Sequence, residues 1–149
     1  MFRPLAAAGG VVFVLAAAVL GDDSADRDKL IGKWQQSSGD RGGGEVWSLE
    51  TVGDSLRMTH SLGQKTDEFS CNIMGHDCEV KLSGKRAKVS LWFNGGMLVE
   101  LETRGAEVLK RRFKAAGDDA LQIETIPINP GGKPEMDRFK RVSVSAERK

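Results

Sequence analysis

The chain has 149 residues, with 22 Lys or Arg, 21 Asp or Glu, two cysteines and no tyrosine. So even a balance argues against a nucleic-acid or anionic-membrane partner, since each calls for a basic excess. The basic clusters at 110–112 and 138–141 have acidic residues nearby and read as strand faces rather than binding patches.

Residues 1–21 read as a secretory signal peptide: Arg3 supplies a positive start, residues 5–20 are uncharged, and Asp22 and Asp23 end the run. These 16 residues fall short of the roughly 20 that a spanning helix needs. Cleavage is expected after Gly21, with Ala18 as the alternative, and no cysteine near the junction offers a lipid attachment point. The expected product is exported, periplasmic or extracellular, with no membrane span once the leader is gone. Residues 22–149 then form one domain of 128 residues, enough to bury roughly two thirds of its unfolded surface.

After the leader, residues 25–31 carry a single short helical turn, and residues 33–37 begin the first strand. Residues 38–44 are all polar or glycine and read as a mobile loop. Breaks then recur at Gly42, Gly53, Gly63, Gly75, Gly84, Gly95, Gly105, Gly117 and Gly131, 9 to 14 residues apart. That is close to the spacing of an all-β sandwich or barrel. Between breaks, apolar and polar residues alternate. Trp47 and Leu49 alternate with Ser48 and Glu50; Leu56, Met58 and His60 alternate with Arg57 and Thr59. Val89, Leu91 and Phe93 keep the same period, and Met97, Val99 and Leu101 alternate with Glu100 and Glu102. Leu109 and Phe113 flank Arg111, and Leu121 and Ile123 alternate with Gln122 and Glu124. Period-2 alternation gives each strand one buried and one wet face; on this reading Glu100 and Glu102 face solvent. Segments 94–96 and 117–119 suit tight hairpins, and 127–134 reads as a longer, stiffer turn before the last strand.

A meander with one wet face must bury the other, by stacking two sheets or by curling one sheet shut. Closure also removes exposed edges. The expected fold is therefore all-β: an antiparallel up-and-down meander of about eight to ten strands closed into a barrel, after a short N-terminal helical turn.

Cys71 and Cys78 form an even pair in a chain read as exported, which points to a disulfide. Closing so small a ring stabilises by about 2.5 kcal/mol in the chain-entropy model. A metal or redox site with His76 is the weaker reading, because the spacing is not Cys-x-x-Cys and His60 and His76 add too few ligands. No metal and no cofactor are expected.

Leu30, Ile31, Gly32, Lys33 and Trp34 stand directly after the helical turn. This stretch resembles the Gly-x-Trp motif of lipocalins and their calycin relatives. The resemblance implies an up-and-down barrel plugged at one end by Trp34, with a C-terminal basic side chain packed across its ring. Arg141 suits that part, with Arg138 and Lys140 as alternatives. Mature length and strand count look more like the fatty-acid-binding-protein and avidin branches than the longer lipocalins. The run from Cys71 through residues 89–94 to 102–105 is similar to exported lipocalin-like bacterial proteins. The second lipocalin motif with its Thr-Asp pair, and a helix-turn-helix lid, have no counterpart in the sequence.

Trp47, Met58, Leu91, Phe93, Met97, Val99, Leu101, Phe113 and Ile123 are the candidate lining of an interior pocket, with Arg111 meeting a ligand carboxylate. The same side chains would equally serve as the solid filling of a small barrel. Arg111 discriminates, because an inward guanidinium needs an anionic partner or water. Catalysis finds no constellation: His60 and His76 lie on different segments without a serine–acid arrangement, and residues 42–44 lack the Lys-Ser/Thr ending of a phosphate loop. The chain reads as no enzyme. It reads as a carrier of a small hydrophobic or amphipathic ligand, with two alternatives. One is a protein-interaction module such as a periplasmic protease inhibitor; the other is a structural envelope protein.

Overall fold

The computed structural model describes residues 23–39 and 44–142. The expected leader, residues 1–21, lies outside them, as do residues 40–43 of the expected loop. The short helix α1 (Asp23–Lys29) precedes ten strands: β1 (Gly32–Gly39), β2 (Val46–Val52), β3 (Ser55–Leu62), β4 (Lys65–Asn72), β5 (Cys78–Leu82), β6 (Lys85–Asn94), β7 (Met97–Arg104), β8 (Glu107–Ala115), β9 (Ala120–Asn129) and β10 (Glu135–Arg141). The helix begins and ends two residues earlier than expected. Leu30 and Ile31 continue it through bonds from their N–H groups to the carbonyls of Arg27 and Asp28, at 3.1 and 3.2 Å.

The strands form one sheet in the order β4-β3-β2-β1-β10-β9-β8-β7-β6-β5, and every neighbouring pair is antiparallel. Chain neighbours are sheet neighbours except for β4 and β5, and β1 pairs with β10. That pairing curls the meander into a nearly closed barrel and leaves β4 and β5 as its two edges. Two links cross between those edges: the Cys71–Cys78 disulfide, and a bond from the Ser83 N–H to Asp67 Oδ1 at 2.8 Å. Seven of the nine expected glycine breaks carry positive φ. At Gly63 and Gly105, φ is 62° and 56° in two-residue connections, a conformation side chains with a Cβ rarely adopt. The expected turn at 127–134 starts later, because β9 runs through Pro127. Pro127 pairs with Leu109 where the β8–β9 register shifts, and such irregularities are where a strand tolerates a residue lacking an N–H.

One end of the barrel is sealed from the sequence upward. Trp34 is fully buried and donates from Nε1 to the Leu30 carbonyl at 3.0 Å. Arg141 stands opposite it in the β1–β10 ladder, with its guanidinium carbon 4.2 Å from the indole centroid. The same guanidinium donates to three carbonyls: Ile31 at 2.7 Å, Lys29 at 2.8 Å and Asp118 at 2.9 Å. Two of those belong to the end of α1 and its continuation, where carbonyls lack helical partners. Gly32 matters because a Cβ there would collide with Arg141 Nη1. Arg138 and Lys140, the alternative partners of Trp34, are exposed.

Arg141→Met is expected to lower stability by about 2–3 kcal/mol, through loss of charged hydrogen bonds and the ring contact. Urea unfolding measures it. A midpoint within error of the parent protein would mean that the seal holds without the guanidinium.

Candidate functional site

The interior is built by inward residues of every strand. Trp47 on β2, Met58 on β3, Leu91 on β6, Phe113 on β8 and Ile123 on β9 all have at most 2% of their surface exposed and belong to one core cluster. Phe93 is only half-buried at the sealed end, under the guanidinium of Arg27 at 4.6 Å, whose Nε also donates to the Gly95 carbonyl at 2.9 Å. These contacts dock α1 against the β6–β7 turn.

Strand β7 faces the opposite way from expectation. Its buried residues toward the core are Leu98, Glu100 and Glu102. Met97, Val99 and Leu101 take the outer face and do not line the interior; Val99 is buried, but lies outside the core cluster. The reason is register. Glu100 stands opposite Leu91 on one side and Arg111 on the other, and directly opposed residues point to the same face. With Leu91 and Arg111 inward, Glu100 must be inward too.

Arg111 therefore meets carboxylates, but the chain supplies them. Its Nη1 donates to Glu100 Oε1 at 2.5 Å and to Glu102 Oε2 at 2.6 Å. Arg104, at the rim of the barrel, donates from Nε to the other oxygen of Glu102 at 2.5 Å. Burial pushes the Glu100 carboxyl above the ordinary glutamate range; Arg111 opposes this, and the neighbouring Glu102 adds to it. Burial acts on Glu102 as well, but Arg111 and Arg104 outweigh it and hold that carboxyl below the ordinary range. The two acids are thus driven apart by unequal access to cations.

A second polar group adjoins the first through Trp47. Trp47 Nε1 donates to Glu45 Oε1 at 3.0 Å, and His60 Nε2 lies 2.7 Å from the same oxygen. The imidazole stacks on the indole at 4.0 Å with 10° between planes. Phe113 meets the indole edge-on at 5.1 Å, and the Arg111 guanidinium lies 5.2 Å from its centroid. Asp137 on β10 is buried and accepts from Gln36 Nε2 at 3.2 Å. The inward roles of Glu45, Glu100, Glu102 and Asp137 were not expected. Among the described residues, no group of three or more His, Cys, Asp and Glu is arranged to hold a metal ion. His76 stays apart in the connection between the cysteines, and its neighbour Asp77 accepts from Ser90 Oγ at 2.9 Å.

Three hollows lie near the barrel ends, one of them, of ≈ 240 Å³, between Asp26, Gly96 and Lys114. One of ≈ 590 Å³ is bordered by Val80, Ala87, Lys88, Thr103 and Gly105, toward the end opposite Trp34. A smaller one of ≈ 180 Å³ lies between α1 and the β2–β3 turn, against Ile31, Leu56 and Phe93.

Two outcomes follow for the buried triad. Arg111→Met leaves Glu100 without its cation and Glu102 with Arg104 alone, and is expected to cost about 3–5 kcal/mol in urea unfolding; a loss below about 1 kcal/mol would contradict the pairing. Glu100→Gln and Glu102→Gln separate by pH. The raised Glu100 carboxyl opposes folding once unfolded glutamate ionises. Glu100→Gln should therefore gain on the parent as pH rises from about 4 to about 7. The lowered Glu102 carboxyl stabilises above the ordinary glutamate range, so Glu102→Gln should lose on the parent over that span. Parallel stability–pH curves for both variants would refute the assignment.

No protein-family model matches the sequence, and no curated protein matches it significantly. Solved structures do match. The chain is similar to a fatty-acid-binding protein of Schistosoma mansoni in complex with arachidonic acid, at TM-score 0.68 and 15% identity over 79% of this chain and 99% of that one. It is similar to the REP1-NXSQ fatty acid transporter, at TM-score 0.65 and 17% identity over 78% and 98% of the two chains. A third likeness is to secretory abundant heat soluble protein 4 of Ramazzottius varieornatus, at TM-score 0.65 and 14% identity over 77% and 96%. At these identities the likeness establishes the fold alone, an antiparallel β-barrel like those of the three proteins, which agrees coarsely with the barrel that the lipocalin resemblance implied. Two of the three are named for fatty-acid binding or transport, not for catalysis.

Proposed function

We propose that this chain is an exported carrier of a small hydrophobic or amphipathic molecule held inside the barrel, and that it catalyses no reaction. The observation that carries this reading is the ten-stranded closure with one end sealed by Trp34 and Arg141. Side chains already fill a barrel of about eight strands, and diameter grows with strand number. A ten-stranded closure is therefore wide enough to open around a small ligand. Trp47, Met58, Leu91, Phe113 and Ile123, packed together in the core cluster, would form its apolar walls. The names of the structural neighbours, a fatty acid transporter and a fatty-acid-binding protein with arachidonic acid, support the same use.

Export rests on the leader-like residues 1–21 and draws support from the Cys71–Cys78 disulfide, a bond favoured in oxidising compartments. Among the described residues no helix is long and apolar enough to cross a membrane. Residues 22–149 act as one barrel domain. The protease-inhibitor alternative gains nothing from α1, which is docked on the barrel through Arg27 rather than projecting toward a partner.

Native mass spectrometry of protein purified from its own host tests the reading. The expected spectrum shows a mass increment that collisional activation removes as an apolar small molecule. Unliganded monomer under gentle conditions, with no uptake of added long-chain lipids, would overturn it.

A further inference from the structure

The ≈ 590 Å³ hollow is lined from both faces of the sheet. On β5 and β6, Val80 stands opposite Ala87, on the inner face with the fully buried Val89. Directly opposed residues share a face, and successive ones alternate. Glu79 opposite Lys88, and Lys81 opposite Arg86, therefore take the outer face, and all four are exposed. Both sets border one hollow because the sheet parts here. β6 pairs with β7 only as far as Lys88 and Thr103. The β5–β6 pairing runs on to Leu82 and Lys85, and the β7–β8 pairing to Arg104 and Glu107. The two hairpins thus separate at their tips, and the hollow opens between them.

Its rim carries more positive charge than the chain answers. Lys81, Arg86 and Lys88 share the lining with one carboxylate, Glu79. None of the three cations forms an ion pair with another described residue. Lys81 and Arg86 are moreover directly opposed, a placement in which like charges destabilise a sheet. An anion seated between them removes that cost. We propose that this hollow is the head-group site of the cargo, and that the cargo is an amphipath ending in a phosphate monoester. Its phosphate stays among Lys81, Arg86 and Lys88, while its chain passes inward beside Val80 and Ala87. This rests on the proposed use of the barrel as a ligand carrier.

Charge and shape single out this head group. A phosphate monoester carries about −1.5 to −2 at neutral pH, spread over three acceptor oxygens. That matches the two positive charges left on the lining once Glu79 is counted. Arg86 offers a planar fork that phosphate oxygens can meet in pairs, and the lysines add point charges. A carboxylate brings one charge and two oxygens, and leaves part of the excess unmet. A hydroxyl brings no charge at all. The apolar path is short: Ala87 belongs to the core cluster and Val80 packs against it. The hollow's ≈ 590 Å³ falls within the range of about 300–1,000 Å³ usual for small-molecule sites. Because the cations are exposed, their attraction is modest and screened by salt. Burial of the chain must supply the rest, so free phosphate is a poor ligand.

Four probes test the inference: dodecyl phosphate, dodecanoate, 1-dodecanol and inorganic phosphate. Each is titrated into the protein at neutral pH and low salt, the amphipaths below their aggregation limits, with binding read by calorimetry. Dodecyl phosphate is expected to bind at least about ten-fold tighter than dodecanol and about three-fold tighter than dodecanoate. Inorganic phosphate should bind at least about 100-fold more weakly than dodecyl phosphate. Lys81→Gln combined with Arg86→Gln changes only exposed side chains, so the fold is kept. The double variant should bring dodecyl phosphate to within about three-fold of dodecanol and alter dodecanol affinity by no more than about two-fold. Dodecanol or dodecanoate matching dodecyl phosphate on the parent protein would overturn the head-group site and leave the carrier reading standing. So would a double variant that binds dodecyl phosphate like the parent. Inorganic phosphate binding as tightly as dodecyl phosphate would overturn the amphipath and make the hollow a site for the free anion. Binding of none of the three amphipaths would overturn the carrier reading itself.

Discussion

The pairing of β1 with β10, stitched by Arg141, is the constraint from which the other features follow. Without it the sheet splits into two, β1–β4 and β5–β10, whose inner faces keep access to water along their edges. With it, every inward side chain loses that access, and each polar one must find its partners inside. Arg141 contributes in three ways at one point. It covers the indole of Trp34, takes up carbonyls at the end of α1, and ties the β8–β9 turn through Asp118. A guanidinium suits this role because its fixed planar fork offers donors in several directions and a face for the ring.

Enclosure explains why the interior polar groups occur as linked sets. A buried guanidinium alone would be prohibitive, so Arg111 sits between two carboxylates drawn from the adjacent strand. The indole of Trp47 joins this set to the Glu45–His60 set by packing against Arg111 on one side and His60 on the other. Four strands, β2, β3, β7 and β8, thereby carry side chains that fit together in one register only. A slip of one residue between β7 and β8 would send Glu100 outward and leave Arg111 unpaired, a far larger penalty than misplacing an aliphatic side chain. The triad thus acts on register as well as on charge.

The strand count and hairpin positions were legible because glycine at positive φ and period-2 alternation are local properties. Gly53, Gly63, Gly84, Gly95 and Gly105 each mark a connection for that reason. The seal was legible for a different one: Gly32 and Trp34 form a short motif at a fixed place, and the terminal strand offers few basic residues to cover the ring. The phase of β7 was not read correctly, because Met97, Val99 and Leu101 outweigh Leu98, Glu100 and Glu102 in hydrophobicity. Alternation shows that a strand has two faces; hydrophobicity alone chose the wrong one. The hairpins held the answer. A two-residue turn at Gly105 and Ala106 sets Arg104 opposite Glu107, and counting back sets Glu100 opposite Arg111. The turn at Gly95 and Gly96 likewise sets Leu91 opposite Glu100. Leu91 and Arg111 inward are therefore incompatible with Val99 inward. Glu45 and Asp137 carried no comparable signal, since their burial depends on contacts made after closure.

The sealed end also constrains how anything reaches the interior. Around Trp34 the way is blocked by the indole, by Arg141 and by α1 docked through Arg27 onto the β6–β7 turn. Between the edge strands β4 and β5, where no hydrogen-bonded ladder runs, the disulfide ties one end of the gap and Asp67 ties the other to Ser83. Widening that gap would require breaking a covalent bond or giving up the aspartate's bond. The opposite end of the barrel is ringed by the tight turns at Gly63, Gly84 and Gly105 and by the ≈ 590 Å³ hollow beside the last of them. Entry at that end would leave the Trp34 seal and the disulfide undisturbed. Arg104, near that rim and bonded to Glu102, lies between such an entrance and the Glu100–Arg111 pair. A molecule entering there head first would meet the polar set before the apolar walls around Met58 and Ile123.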